Sequence, residues 1–406
     1  MTQTRPAGRG TGSAPYGTRP RPRTNPNQTK PTTYVNVGQM DYTLYLVVII
    51  LVCIGVIMVF SASYVTASHR LVFRQDAFFF LRRNGLMAIG GFVVMNLVAN
   101  VYYGWYRPWS RMLYIVTMVL VLFVVFFGIE AGGGQRWLGI PGTEINFQPS
   151  EIAKPAIIFM MAWMVSQYEN GLRKWSGFFI FCAVAGAMSV LVIITGFSTG
   201  LIVTVTAFGM IFIASPHILR FVMVGVAGVA GFAGIIMFGA GFRAARIEAW
   251  LDPFAFHDTV GFQTVQSLYA IASGGLFGQG IGNSRQATFV PEAHNDIIFA
   301  IIAEELGLIG AGFIMLLFVI FIWRGIKIAL NAPDTFSSMV AIGIVLTIAF
   351  QAIINIAVVT NTIPNTGVTL PFISYGGTSL IVSMALAGVL LNISRYSKDR
   401  SGAPPT

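Results

Sequence analysis

Charged side chains are scarce in this sequence. Asp, Glu, Lys and Arg together make up 10% of its 406 residues, while 55% are hydrophobic and the mean hydropathy is +0.73. Ordinary soluble domains carry roughly a quarter charged residues, so this composition excludes a water-soluble globular protein and predicts an integral membrane protein. The net charge of +10 comes without an aromatic-interleaved basic patch or a helix-turn-helix pattern, which argues against nucleic acid as a partner.

Cysteine is nearly absent too, and no secretion signal is recognisable. Cys53 and Cys182 both fall within apolar stretches, which excludes a disulfide framework and a cysteine-based zinc cluster. No short apolar core with a small-residue cleavage site precedes Asp41. Residues 1–39 contain six basic and no acidic residues and little that is apolar, so we expect a disordered tail that contacts anionic membrane lipid.

Long hydrophobic runs, by contrast, are abundant. A hydrocarbon core of about 30 Å requires roughly 20 apolar residues per helical crossing, and ten runs approach that length. We therefore predict an all-α integral membrane fold with ten transmembrane helices, in a membrane domain at residues 40–396 followed by a short tail at 397–406. The predicted helices lie near residues 42–62, 84–99, 112–129, 151–167, 177–194, 199–214, 220–241, 298–322, 338–360 and 371–394.

The basic residues predict the orientation of these helices. Most Lys and Arg residues fall in the two tails and in the connections on the same side of the membrane. Because basic residues accumulate in cytoplasmic segments, both termini are expected in the cytoplasm. Many acidic residues, among them Asp258 and Asp296, then lie at or beyond the outer face.

One outer segment, residues 242–297 between predicted helices seven and eight, is far longer than a usual connection. It is therefore predicted to be a large extracellular loop with a function of its own. Arg243 and Arg246 lie three residues apart, on one face of a helical patch, and a glycine-rich part follows that can approach a ligand with bare backbone. Two arginines and backbone amides can hold a phosphate or pyrophosphate by charge-assisted hydrogen bonds.

Asp296 stands where this loop turns into the predicted eighth membrane helix. A carboxylate at the edge of a low-dielectric region has a raised pKa and can act as a general base. The alternative is that Asp296 caps the free backbone amides at the start of that helix. Glu292, His294 and Asp296 are too closely spaced for a defined zinc motif, so we expect no metal site and interpret His294 as a hydrogen-bonded neighbour that orients the loop.

Other ionisable residues lie inside the predicted helices. Glu151 and Lys154 are spaced i, i+3 and can touch on one helix face, either as a structural ion pair or as part of a substrate cavity. Glu304 and Glu305 are expected to face the interior of the bundle and to find polar partners there. Arg136 precedes the predicted fourth helix and would line the same outer entrance.

The stretch "PNTGVTLPFISYGGTS" at residues 364–379 leads into the last predicted helix. Its prolines and glycines permit a broken backbone that lines a cavity, which is tolerated at membrane depth where protein or water satisfies the backbone. Residues such as Ser374 would then shape an outer groove. The alternative is that the small residues merely let helices pack closely.

Five motifs in this order resemble the SEDS (shape, elongation, division and sporulation) family of cell-wall polymerases. The resemblance covers about residues 42–396, and its motifs are "NFQPSEIAKPA", "RIEAWLDP", "GFQTVQSL", "PEAHNDIIFAIIAEELGLIG" and "NTGVTLPFISYGGTSL". "PEAH" and Thr369 are more similar to the division-type branch, FtsW, or to a sporulation relative than to the elongation-type RodA. This chain departs from the family at residues 195–200, where "TGFSTG" replaces a pattern with an acid or asparagine and a proline.

The resemblance implies a peptidoglycan glycosyltransferase that polymerises lipid II at the outer face of the bacterial cytoplasmic membrane. It implies work beside a class B penicillin-binding transpeptidase and other division proteins of the membrane. The family's required aspartate corresponds to Asp296, and its embedded Glu/Lys pair to Glu151 and Lys154. No cofactor is expected, and a need for a divalent cation stays open. The predicted substrate-binding residues are Arg136, Glu151, Lys154, Arg243, Arg246, Gln263, His294 and Ser374.

Three alternatives remain at this point: a RodA-type elongation polymerase, a lipid II flippase or transporter, and a scaffold that only recruits the transpeptidase. Transporters usually concentrate polar residues near the bilayer midplane in two related halves. Here the polar residues concentrate in one outer loop instead.

Overall fold

The computed structural model describes residues 38–69, 76–130, 135–139, 146–168, 171–223, 225, 247–290 and 292–396. The predictions for almost all of the N-terminal tail and for residues 397–406 lie outside the described residues. So does nearly all of the predicted seventh membrane helix at 220–241, and the count of ten therefore stays a prediction.

The described part of the chain is predominantly helical. Seven of its helices are long and apolar enough to cross a membrane, so the chain is a multi-pass membrane protein, as its composition predicts. The helices are α1 (Tyr42–His69), α2 (Phe79–Asn100), α3 (Tyr106–Phe127), α4 (Pro149–Gln167), α5 (Trp175–Thr195), α6 (Phe197–Ala214), α7 (Phe262–Gly274), α8 (Gln286–Phe289), α9 (Ile298–Leu330), α10 (Thr335–Val359) and α11 (Gly377–Arg395).

A small antiparallel sheet joins α3 to α4. Its strands are β1 (Ile129–Glu130), β2 (Gln135–Gly139) and β3 (Asn146–Phe147), in the order β1-β2-β3. Trp137 pairs with Ile129, and Leu138 pairs with Phe147. The hydropathy pattern does not predict these strands, because runs of two to five residues are too short to show a period of two.

Close helix packing depends on small residues. α2 packs along α11, and a Cβ added at Gly388 would lie 2.5 Å from the carbonyl oxygen of Met95. Membrane helices approach each other closely where such residues line the contact. α4 lies against α3, α6, α10 and α11, so its charged residues are enclosed by protein and not by lipid.

An ion pair and a hydrogen bond together join three helices at the end of the bundle where α1 begins. The Arg324 guanidinium on α9 donates to both carboxylate oxygens of Asp41, at 2.5 Å for the shortest contact. The Asp41 backbone N–H donates to Ser394 Oγ on α11 at 3.0 Å. Asp41 is thereby a common partner of α9 and α11 at the start of α1.

α9 is broken at Gly307, which has φ 69° and ψ −171°. Loop residues 275–280 supply the backbone partners that the break leaves open. The amides of Gln279 and Gly280 donate to the carbonyls of Glu304 and Glu305 at 3.0 Å each, while the amides of Leu308 and Ile309 donate to the carbonyls of residues 275 and 276. The helix predicted at 298–322 is therefore not uninterrupted. It consists of two helical segments that meet at Gly307, and the loop residues 275–280 form hydrogen bonds to both segments.

Residues 364–376 form a turn that enters the bundle. A Cβ added at Gly55, in the middle of α1, would lie 2.7 Å from the Cα of Ile373, and Leu370, Phe372 and Ile373 are buried. The turn is therefore non-helical backbone at membrane depth that is enclosed by protein. Such backbone is tolerated there only where protein or water satisfies its polar groups. The last helix therefore begins at Gly377 and not at residue 371 as predicted; we call residues 364–376 the re-entrant turn.

Candidate active site

Asp296 lies in the turn that precedes α9. The helix has Ile297 as its N-cap residue and no side-chain capping hydrogen bond, so the structure does not show the capping role considered above. Instead, Asp296 Oδ1 accepts a hydrogen bond from Gln263 Nε2 of α7 at 3.0 Å. The carboxylate is partly buried and lies just before the membrane-spanning segment that begins at Ile298.

The surroundings of Asp296 change its proton affinity. Burial raises the pKa of the Asp296 carboxyl group, and the nearby Glu292 carboxylate raises it further. Hydrogen bonds from the Asp296 backbone amide, from Gln263 and from the Ile297 backbone amide partly oppose both effects. A carboxylate with a raised pKa binds a proton more strongly than a solvated one, which improves it as a general base.

A fully buried asparagine holds the backbone of Asp296. Asn355 of α10 is 0% exposed, and its Nδ2 donates to the Asp296 carbonyl at 2.5 Å and to the Val368 carbonyl at 2.7 Å. One amide group thus joins the Asp296 turn to the re-entrant turn. Asn355 is not among the site residues predicted from the sequence, although a lone asparagine in a run as apolar as α10 is a signal for a functional or structural polar contact.

Gln263 continues into a second set of contacts. Its Oε1 accepts a hydrogen bond from Asn365 Nδ2 at 2.9 Å, and Asn365 Oδ1 accepts one from the Gly367 backbone amide at 3.1 Å. Gln263 was predicted to bind substrate; the structure places it between Asp296 and the re-entrant turn. Asn365 was not predicted.

His294 packs behind Asp296. Its ring lies 4.3 Å from the Phe80 ring and 5.2 Å from the Tyr375 ring, between centroids. Its carbonyl accepts a hydrogen bond from the Tyr375 amide at 2.9 Å. Burial lowers the pKa of His294 to about 4, so the ring is neutral near pH 7, and its predicted contact with substrate stays a prediction.

The comparisons with known proteins agree with this architecture. The sequence profile of the FtsW/RodA/SpoVE family, described as "Cell cycle protein", matches residues 42–399. The chain belongs to this family. It is 42% identical over 363 residues to stage V sporulation protein E of Bacillus subtilis, covering 88% of this chain and 98% of that protein. It is 38% identical over 359 residues to a protein of Geobacter sp. strain M18 named "Probable peptidoglycan glycosyltransferase FtsW", covering 87% and 96%.

Solved structures of two relatives share the fold of this FtsW/RodA/SpoVE protein. One belongs to work described as "Structural coordination of polymerization and crosslinking by a peptidoglycan synthase complex", with a TM-score of 0.74, 23% identity, and coverage of 90% of this chain and 99% of that one. The other is the rod shape determining protein RodA of Thermus thermophilus, with a TM-score of 0.63, 22% identity, and coverage of 90% and 98%.

Within this family fold, the ion pair predicted on α4 is confirmed. Lys154 Nζ lies 2.7 Å from Glu151 Oε2, and the two residues are 2% and 5% exposed. The contact fits both interpretations given above, a structural pair and one wall of a substrate cavity.

The interior placement of Glu304 and Glu305 is confirmed as well. The Glu304 carboxylate accepts hydrogen bonds from Ser284 Oγ at 2.5 Å and from the Arg285 amide at 3.1 Å. The Glu305 carboxylate accepts from Ser61 Oγ of α1, at 2.6 and 2.7 Å to its two oxygens. Glu304 thereby fastens residues 284–285 to the bundle. Glu305 joins α9 to α1, and Ser61 Oγ in turn accepts a hydrogen bond from the Gly282 amide at 3.0 Å.

Ser374 closes the re-entrant turn. Its Oγ accepts a hydrogen bond from the Leu370 amide at 2.7 Å, and its own amide donates to the Leu370 carbonyl at 3.0 Å. The serine is 6% exposed. This geometry gives the hydroxyl a local structural contact, and its predicted contact with substrate stays a prediction.

The predicted substrate-binding arginines are not part of the described site. Arg243 and Arg246 lie outside the described residues, and Arg136 lies in β2 with a side chain that is also outside them. Among the described cations, Arg83 of α2 is close enough to Tyr375 to lower the pKa of its hydroxyl, against the larger effect of burial, which raises it. Arg83 is not among the site residues predicted from the sequence. The described residues contain no group of three His, Cys, Asp or Glu side chains that could hold a metal ion.

Proposed function

We propose that this chain is a peptidoglycan glycosyltransferase that polymerises lipid II into glycan strands, with Asp296 as its general base. The observation that supports the base is a partly buried carboxylate with a burial-raised pKa, just before the membrane-spanning part of α9. The reaction class is supported by relatives at 36–38% identity that are named probable peptidoglycan glycosyltransferases.

The substrate suits a base at that position. Lipid II is a disaccharide-pentapeptide joined through pyrophosphate to a polyprenyl chain. Its sugars react at the boundary between lipid and water, while its hydrocarbon chain stays in the bilayer. A carboxylate at the end of a membrane helix can therefore reach the sugar hydroxyl without entering the hydrocarbon.

The reaction requires one proton acceptor. Asp296 takes the proton from the 4-hydroxyl of the acceptor sugar as that oxygen bonds to the anomeric carbon of the donor. The bond from this carbon to the pyrophosphate breaks, and the lipid pyrophosphate departs with the electron pair. Displacement at an α-linked donor gives a β-linked product by inversion, so no covalent enzyme intermediate and no resident cofactor are needed.

Cations must stabilise the departing pyrophosphate. We assign this role to Arg243 and Arg246, with Lys154 as a third partner, because arginine forks and ammonium groups form charge-assisted bonds with phosphate oxygens. Lys154 is already held by Glu151 at 2.7 Å, which fixes its position before substrate arrives.

We place both termini in the cytoplasm and the Asp296 side of the bundle at the outer face. The excess of basic residues in the tails supports this orientation. The proposed partner is a class B penicillin-binding transpeptidase that crosslinks the new strands. It is supported by the similar fold found in a peptidoglycan synthase complex. We place the activity in septal wall synthesis, with elongation as the alternative.

The test uses purified protein and labelled lipid II, alone and with a candidate transpeptidase. We expect glycan strands from the wild type and a loss of at least about 100-fold with Asp296→Asn, which keeps the shape and removes the base. Asp258→Asn is the matched control, because Asp258 is an exposed aspartate of the same outer segment. Transbilayer movement of lipid II without polymer would support the flippase instead.

A further inference from the structure

We propose that Gln263 and Asn365 are positioning residues that form an amide relay and hold Asp296 in the proton-accepting state. The relay is the series Gly367 amide, Asn365, Gln263, Asp296. This inference rests on the proposed function, because it assigns to the relay the preparation of the base for that reaction.

The direction of every hydrogen bond in the relay follows from one backbone group. The Gly367 N–H can only donate, so the Asn365 atom at 3.1 Å from it is the oxygen. The Asn365 amino group then faces Gln263 and donates to its Oε1 at 2.9 Å. The Gln263 amino group must therefore face Asp296, where it donates to Oδ1 at 3.0 Å.

A relay with this direction favours the charged form of the carboxylate. A hydrogen bond donated to a carboxylate stabilises the anion, which must be present before the acceptor sugar can lose its proton. The same bond fixes the rotation of the carboxylate, so that Oδ2 points toward Gly367. A Cβ added at Gly367 would lie 3.6 Å from Asp296 Oδ2 and 3.4 Å from Ser198 Oγ.

The relay also joins parts of the chain that are far apart in sequence. Gln263 belongs to α7 of the outer segment, and Asn365 and Gly367 belong to the re-entrant turn. Gly367 has φ +69°, a conformation that glycine adopts without strain. The state of Asp296 therefore depends on the position of an outer helix relative to a turn inside the bundle.

Other titratable or charged groups lie near Asp296 in the described part of the chain. Its own segment contributes the exposed Glu292, whose charge acts on the Asp296 carboxyl group, and the neutral His294. His294 in turn contacts Tyr375 of the re-entrant turn, and Tyr375 lies near Arg83 of α2. α7 and α10 face Asp296 with the amides Gln263 and Asn355. The relay is distinguished from these groups by its direct bond to the carboxylate.

The experiment measures the pH dependence of kcat/KM for lipid II polymerisation. Gln263→Leu removes the donor. Asn365→Asp keeps the shape, but its oxygen faces Gln263, whose amide then rotates and presents an oxygen to Asp296. Both variants should move the acidic limb of the profile up by about one pH unit. The limb follows the pKa of the base, and the loss of one hydrogen bond to a carboxylate raises that pKa by about one unit. The KM for lipid II should change less than twofold.

Thr362→Asp is the matched control. Thr362 is an exposed residue of the same connection, so it introduces the same charge outside the relay and should leave the acidic limb in place. Thermal unfolding of each variant reports whether it is folded. If Gln263→Leu does not fold, the isosteric variant Asn365→Asp decides the result.

The possible outcomes separate the relay from the proposed function. Failure of the wild type to polymerise lipid II at any pH would overturn the proposed function. A polymerising wild type with folded variants whose acidic limbs do not move would overturn the relay alone. A raised KM with an unchanged limb would also overturn it, because Gln263 would then be a substrate ligand.

Discussion

Asn355 offers a sharp test of how the site is built. Its Nδ2 makes two hydrogen bonds, to the carbonyls of Asp296 and Val368, inside a fully buried contact. Asn355→Leu keeps a similar volume but leaves both carbonyls without this donor. A buried polar group that loses its partner costs about 1–3 kcal/mol, so the two together should lower the free energy of unfolding by about 2–4 kcal/mol.

The functional effect should be larger than the loss of stability suggests. The Asn355 amide is the group that holds the Asp296 carbonyl against the re-entrant turn, so its removal lets the carboxylate move relative to Gln263. A displacement of about 1 Å at a reacting group can cost about 100-fold in rate. We therefore expect Asn355→Leu to reduce lipid II polymerisation about 100-fold at a temperature where the variant remains folded.

The matched control lies one turn earlier on the same helix. Gln351 is also buried, but its Oε1 accepts no hydrogen bond among the described residues. Gln351→Leu should therefore leave polymerisation within about twofold of the wild type, because it removes no contact to the site. Thermal unfolding in detergent and the polymerisation assay are run on both variants. Equal activities for Asn355→Leu and Gln351→Leu would refute the role given to Asn355.

Two further predictions concern the bundle itself. Gly307→Ala places a Cβ 2.3 Å from the Gly278 amide at a positive φ, and this strain should lower the unfolding temperature and the activity together; Gly312→Ala, with open space around it, should change neither. Arg324→Leu leaves the buried Asp41 without its cation and should cost about 3 kcal/mol in thermal unfolding. Adding Asp41→Asn should recover part of that loss, and a double variant that is no more stable than Arg324→Leu would count against the ion pair.

The sequence predicts the features of this protein that depend on near neighbours. Runs of about 20 apolar residues identify the membrane helices because each helix satisfies its own backbone. The contact between Glu151 and Lys154 is predictable for the same reason, since a spacing of three residues brings two side chains together on any helix.

The features that the sequence does not predict depend on distant contacts. An isolated glycine inside an apolar helical run is usually tolerated, and the break at Gly307 is stable only because residues 275–280 supply its missing backbone partners. The relay has the same character: Gln263 and Asn365 are 102 residues apart in sequence, and Asn355 reaches Asp296 across 59 residues. No local pattern contains such pairs.

The buried and partly buried acids on the Asp296 side of the bundle differ in what surrounds them, and this difference supports the choice of base. Glu151 forms an ion pair with Lys154 at 2.7 Å, so its carboxylate already has a cationic partner. Glu304 is held by a hydroxyl and backbone amides of residues 284–286, and Glu305 by the hydroxyl of Ser61. The first set of contacts fastens the loop to α9, and the second joins α9 to α1.

Asp296 is held in another way. The described contacts give its Oδ1 one side-chain donor, Gln263 Nε2, and they direct Oδ2 toward the space beside Gly367 and Ser198. No described cation forms an ion pair with it. A base must be ionised before the reaction and still gain from taking a proton during it. Hydrogen bonds from the backbone amides of Asp296 and Ile297 and from Gln263 supply the first property, and burial supplies the second.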